Sequence, residues 1–148
     1  MTTTRAARFA AVYALLRAAA DVADHWIQTD HQATAKGQAD TAGRRACAAH
    51  VATYTAVQGA VLVAGARVLG VRLRPVPVAA ALTLSAASHY FADRQGGHWR
   101  ESEPRGIVRL AHATGGGNWL QRDPQAGYLL DQAWHHAFEA AAALIASA

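Results

Sequence analysis

Apolar residues recur along this chain at intervals of three and four over segments far longer than a strand, and that period confines it to helices. Over residues 4–31, Phe9, Val12, Leu16, Ala19, Ala23 and Trp26 follow the period with no glycine or proline to interrupt them. Residues 36–43, with two glycines, Asp40 and Thr41, read as a connection. A second helix is expected over 44–69, a proline-containing break over 72–77, and a third helix over 78–94. A polar loop covers 95–104. Pro104 suits the first turn of a short helix reaching residue 113, which Gly115, Gly116 and Gly117 then end. Residues 118–125 read as a loop and 126–146 as the last helix. No segment sustains strand alternation, and Val61 to Val63 lie inside a longer helical period. The expectation is all-α: residues 1–148 as a single domain, a bundle of four long helices plus one short one.

Composition narrows what such a protein does. A chain of 148 residues can bury a real core, yet only 16% of it is charged, against roughly 25% in ordinary soluble domains. Hydrophobic residues make up 52%, much of that alanine, which favours helix but buries little area per residue. The single Cys47 excludes an intramolecular disulfide and a multi-cysteine zinc ribbon, and reads as a small buried residue. A net charge of +4 permits contact with phosphates or anionic lipid. Lys36 is the only lysine, however, and the arginines are scattered through nearly every segment, which argues against a nucleic-acid surface. The first apolar stretch, 9–16, is short and ends in Arg17, so no secretory signal is expected.

Residues 46–66 form an uncharged run about as long as a bilayer crossing requires, and 75–92 a slightly shorter one. His50, Thr53, Thr55 and Gln58 interrupt the first, and Thr83, Ser85, Ser88 and His89 the second. The connections after the first three long helices all carry arginine, so charge asymmetry gives no orientation. The expectation is membrane association with lipid as the main partner; a cytoplasmic alanine-rich bundle is the alternative. A second copy of the chain is a further candidate partner.

Polar residues inside these helices carry the chemistry. Asp21 and His25, His89 and Asp93, and Asp131 and His135 stand four residues apart, and His50 stands four before Tyr54. Such pairs project from one helix face. Ionisable groups within apolar helices are costly unless they find partners, so these faces should converge. Convergence has two meanings. Imidazole and carboxylate together suit a divalent metal such as zinc, manganese or iron. Equally, they hydrogen-bond to one another and lock the helices in register, for example Asp93 to His50 and Asp131 to His89. In that second reading the chain is a non-enzymatic module whose arginine-rich loops touch lipid, protein or nucleic acid. Other chemistries are weaker: the Gly115 to Asn118 stretch lacks the Lys and Ser/Thr of a phosphate loop, and the serines lack a nucleophile-elbow context.

The motifs also resemble a known pattern. Asp24-His25-Trp26-Ile27-Gln28-Thr29-Asp30 is similar to the Asp-Phe-Leu-Leu-Gln-Thr-Asp motif of domain-of-unknown-function family 3307, short proteins of bacteria and phages. His50-Val51-Ala52-Thr53-Tyr54-Thr55 resembles its His-x-x-x-His-Thr segment, and His89-Tyr90-Phe91-Ala92-Asp93 its His-Phe-x-x-Asp. The stretch from Tyr128 to His135 resembles its Phe-Leu-Leu-Asp-Gln-x-x-His. The four motifs stand in the same order over about four fifths of the chain. The chain departs from the pattern at Ala20 and Tyr54, where the family often has histidines.

The resemblance implies a small polytopic helical protein of the bacterial cytoplasmic membrane with no established activity. Some members are labelled transcriptional regulators, but no helix-turn-helix with a basic recognition face is visible here. A looser likeness joins the His and His-x-x-x-Asp pattern to predicted membrane-bound metal-dependent hydrolases. Carried over position by position, the implied ligands are Asp24, His50, His89, Asp93, Asp131 and His135. His25, Gln28, Tyr54 and Gln132 stand around them, and His25 or His31 would move protons. Gln28 and Gln132 also read as amides bonding between helices.

Overall fold

Polar caps set where the helices begin. In a computed structural model describing residues 4–148, the Thr4 hydroxyl accepts from the Ala7 amide at 3.2 Å and starts α1 (Arg5–Val22). A π-helical turn, Ala23–Ile27, continues it. The chain then turns out of the helix at Gln28 and restarts as α2 (Asp30–Ala35). The first helix is therefore shorter than the uninterrupted apolar series suggests. A capping box ends it: the Thr29 side chain accepts from the Gln32 amide, and the Gln32 side chain accepts from the Thr29 amide. The π turn also swings Trp26 outward, where it is 87% exposed rather than on the core face.

Asp40 caps α3 (Thr41–Val68), its carboxylate accepting from the Gly43 amide at 2.7 Å, so Asp40 and Thr41 begin a helix instead of belonging to the connection. Pro75 and Pro77 likewise lie inside the first turn of α4 (Pro75–Asp93), where proline needs no amide donor. After a loop come α5 (Gly106–Ala111), a second π turn, His112–Gly116, and α6 (Gly117–Arg122). The glycine run thus kinks the helical path, with Gly115 at φ 97°, and residues 117–122 are helical where a loop was expected. The last helix, α7 (Ala126–Ala146), matches the expectation. Among the described residues there is no strand.

The long helices pack in pairs: α1 against α3 and α7, α3 against α4, and α4 against α7. Val12, Leu16, Leu62, Ala81, Ala142, Ala143 and Ala146 form the main apolar cluster, and Cys47 is fully buried. A band of polar side chains is buried with them: His50, Gln58, Ser85, Ser88, His89, Asp93, His135 and Glu139. Helix α3 is long and apolar enough to cross a membrane, by length and composition, a test that the core helix of a soluble protein also passes. Among the described residues no second helix meets it.

Candidate metal centre

Three segments of chain bring four side chains together. Asp24 comes from the first π turn, His50 from α3, and His89 and Asp93 from successive turns of α4. The side chains of His50, His89 and Asp93 are 1–2% exposed and that of Asp24 10%. The Nε2 atoms of the two histidines face each other at 3.0 Å. Asp24 Oδ1 stands 3.2 Å from His50 Nε2 and 3.5 Å from His89 Nε2. Asp93 Oδ2 lies 3.3 and 3.2 Å from the same nitrogens. Ligands held about 2.0–2.1 Å from a tetrahedral zinc stand about 3.3–3.4 Å from one another. The five contacts between imidazole and imidazole or carboxylate have about that spacing, while the donors lying within 4.8 Å of one another fall into two groups that put Asp24 and Asp93 apart.

Well-directed hydrogen bonds do not account for all of these atoms. Asp24 Oδ1 and Asp93 Oδ2 are buried with imidazole nitrogens 3.2–3.5 Å away but no well-directed hydrogen-bond donor, a costly state for carboxylate oxygens. Both carboxyls are nonetheless held ionised. Burial pushes Asp93 up, but the bond to His89 and the charges of His89, Lys36 and His135 outweigh it and hold the group well below its ordinary value. At Asp24 the same contest between burial and the neighbouring His50, His89 and His135 also ends below the ordinary value. Burial dominates at His89 and lowers its pKa despite Asp93 and Asp24, favouring neutral imidazole. Ionised carboxylate and neutral imidazole are the forms that coordinate metal.

His89 Nδ1 is buried without a partner, so its ring is positioned by stacking. The Tyr54 ring lies 3.8 Å from it on one side and His135 4.2 Å away, centroid to centroid. His135 completes a second group of donors with His89 and Asp93, which overlaps the first group of Asp24, His50 and His89. Its Nε2 is 3.8 Å from Asp93 Oδ1 and 3.2 Å from Asp131 Oδ2. Burial lowers the His135 pKa, but Asp131 beside it, with Asp93 and Asp24, reverses the balance and raises it.

Of the six residues singled out as ligands, Asp24, His50, His89 and Asp93 converge within 3.0–3.5 Å contacts. His135 stands at the edge of that group, and Asp131 reaches His135 rather than His89 or the convergence point. Gln28, Gln132 and His25 line a small cavity beside the site. His31 lies on α2 in a separate hollow with Arg45. Asp21 pairs with Arg17, one turn before it, and not with His25. Tyr54 donates from its hydroxyl to Glu139 Oε1 at 2.9 Å, away from the donor cluster.

Two charged residues were not anticipated. Lys36 Nζ donates to Asp93 Oδ1 at 2.9 Å. Its segment is clamped by Arg94, which donates to the carbonyls of Lys36 and Gln38 at 2.5 and 2.6 Å, and by His98 Nε2, 2.9 Å from the Gly37 carbonyl oxygen. Lys36 sits in a connection, where no period marks it. Glu139 is 1% exposed and bonds Tyr54 and, at 2.5 Å, Arg17; burial raises its pKa against the pull of Arg17. A signal for Glu139 did exist, because Asp131, His135 and Glu139 extend the four-residue spacing along one face of α7.

No family model matches the chain, and neither a curated protein nor a solved structure matches it.

Proposed function

We propose that the chain binds one divalent transition metal through Asp24, His50, His89 and Asp93. The observation that carries this is the meeting of two imidazole Nε2 atoms with two buried carboxylate oxygens that lack well-directed hydrogen-bond donors, at the spacing of coordinated ligands. A purely structural Asp/His network explains the burial but leaves those two oxygens without well-directed donors. Two nitrogens and two oxygens suit zinc, with manganese and iron as the other candidates.

An ion here would lower the pKa of bound water and polarise a phosphoryl or carbonyl oxygen, so the reading extends to a metal-dependent hydrolase. His135 borders the cavity with Nε2 3.2 Å from Asp131 Oδ2, and that carboxylate favours the imidazolium, which can give a proton. The looser likeness of the His and His-x-x-x-Asp pattern to predicted membrane-bound metal-dependent hydrolases motivates that extension. Membrane association belongs to this proposal too. It is supported by the apolar length of α3 and by exposed Trp26, Ile27, Tyr128 and Leu129 near the site.

Elemental analysis of the purified protein, followed by competition with a chelator of known affinity, tests the metal. About one equivalent is expected, lost on His89→Ala; less than about a tenth of an equivalent of any transition metal contradicts the reading.

A further inference from the structure

The donor cluster is not sealed. Asp24, Asp93 and His135 also border a cavity of about 190 Å³, smaller than the roughly 300–1,000 Å³ of drug-sized ligand sites. Its wall carries three carboxylates, Asp24, Asp93 and Asp131, of which Asp24 and Asp93 face the convergence point and Asp131 is engaged by His135; the donors beside them are Lys36, Gln28 and Gln132. Gln28 lines the cavity, and its Nε2 is buried without a hydrogen-bond partner. Lys36 Nζ uses one of an ammonium's three donors on Asp93 Oδ1, leaving two. Gln132 and Tyr128 also line the cavity. An unpaired buried donor beside a cation, in a cavity of this size, is matched by a compact ligand rich in acceptor oxygens.

We infer that this cavity receives the phosphoryl group of a small phosphomonoester, or inorganic phosphate itself, with Gln28 and Lys36 donating to its oxygens. A tetrahedral oxyanion supplies enough acceptors to meet both residues while turning another oxygen toward the metal. A carboxylate has only two oxygens in one plane. The volume holds the phosphoryl group and a few further atoms, which excludes a nucleotide enclosed as a whole. This inference rests on the metal reading above and names the substrate class of the same site.

Cobalt(II) separates the two claims, because its visible spectrum reports coordination directly and inorganic phosphate is then titrated into the loaded protein. Wild type should bind cobalt and show a saturable spectral change with phosphate. Gln28→Leu should bind cobalt within about threefold of wild type while its phosphate affinity falls at least about tenfold. Lys36→Met, whose cobalt affinity also falls with the loss of its Asp93 contact, is read by the phosphate affinity of its cobalt-saturated form and guards against a folding defect particular to the first variant. Normal cobalt binding with no response to phosphate overturns the oxyanion site and leaves the metal standing. So does equal phosphate affinity in wild type and both variants, or acetate binding as tightly as phosphate. Failure to bind cobalt overturns the metal reading and this one with it.

Discussion

Zinc should raise the melting temperature of the wild-type chain far more than that of His89→Asn. His89 is the perturbation of choice because its Nε2 belongs to both donor groups, at 3.0 Å from His50, 3.2 Å from Asp93 and 3.5 Å from Asp24. Asparagine fills only the near half of the ring, and its amide does not reach the convergence point. A ligand that binds only the folded state stabilises it by about 4 kcal/mol at a thousand times its dissociation constant. In a chain of this length each kcal/mol moves the melting temperature by roughly 2–4 °C, so the wild-type shift should be roughly 8–16 °C. Four-ligand zinc sites bind with about 10–16 kcal/mol, and an even share makes one ligand worth about 2.5–4 kcal/mol, near a hundredfold in affinity. At the same free zinc the variant therefore retains about 1.4 kcal/mol, or roughly 3–6 °C. Thermal melts by circular dichroism, each protein with buffered zinc and with chelator, give both shifts, and any loss of stability in the zinc-free variant cancels. Equal shifts would place zinc elsewhere on the chain. No shift in wild type would remove the site altogether.

Other parts of the structure make separate predictions. A Cβ at position 37 would lie 1.9 Å from the Gly96 carbonyl oxygen, whereas one at position 59 meets only Leu82 Cδ1, at 3.6 Å. Gly37→Ala should therefore cost at least about 2 kcal/mol in denaturant unfolding, and Gly59→Ala, inside α3, should add about 0.5–1 kcal/mol; a neutral Gly37→Ala would contradict the close approach. Arg17→Met should destabilise more than Glu139→Gln, by about 2–4 against about 1 kcal/mol. The first strands a carboxylate whose side chain is 2% exposed, while the second leaves Arg17 paired with Asp21; the reverse order would argue against that network. His98 has its pKa raised by contact with Glu101 and the Gly37 carbonyl. A raised folded-state pKa adds stability that is complete below the ordinary histidine value and is lost as pH rises through the folded one. Wild type should thus exceed His98→Gln in stability at pH 5 to 6 and lose that advantage at higher pH, and a gap that widens with pH would refute the assignment.

The fold was legible wherever the apolar period is long and the caps are plain. The last helix is an example, and so is the helical class itself. Misplaced boundaries have local causes. Thr29 and Gln32 spell a capping box, yet the apolar series running through Ala23 to Trp26 masks it, and no composition signal announces a π turn. Pro75 and Pro77 read as breakers because proline's tolerance of a first turn depends on where that turn begins. In the site, spacing located His89 with Asp93 and His135 with Asp131, since four-residue pairs are fixed by the helix alone. It gave no means of telling that Asp24 rather than Asp21 faces inward, which the π turn decides and the motif resemblance suggested. Lys36 meets Asp93 through a contact between residues 57 apart, made by a loop clamp that no local pattern encodes.

The most direct test of the metal claim is the zinc K-edge absorption spectrum of the protein loaded with one equivalent. The structure predicts nitrogen and oxygen scatterers at about 2.0–2.1 Å together with the outer-shell signature of two imidazoles, reduced to one in His50→Ala. A spectrum with no imidazole signature, or one unchanged by that substitution, would mean that these four side chains meet for another reason.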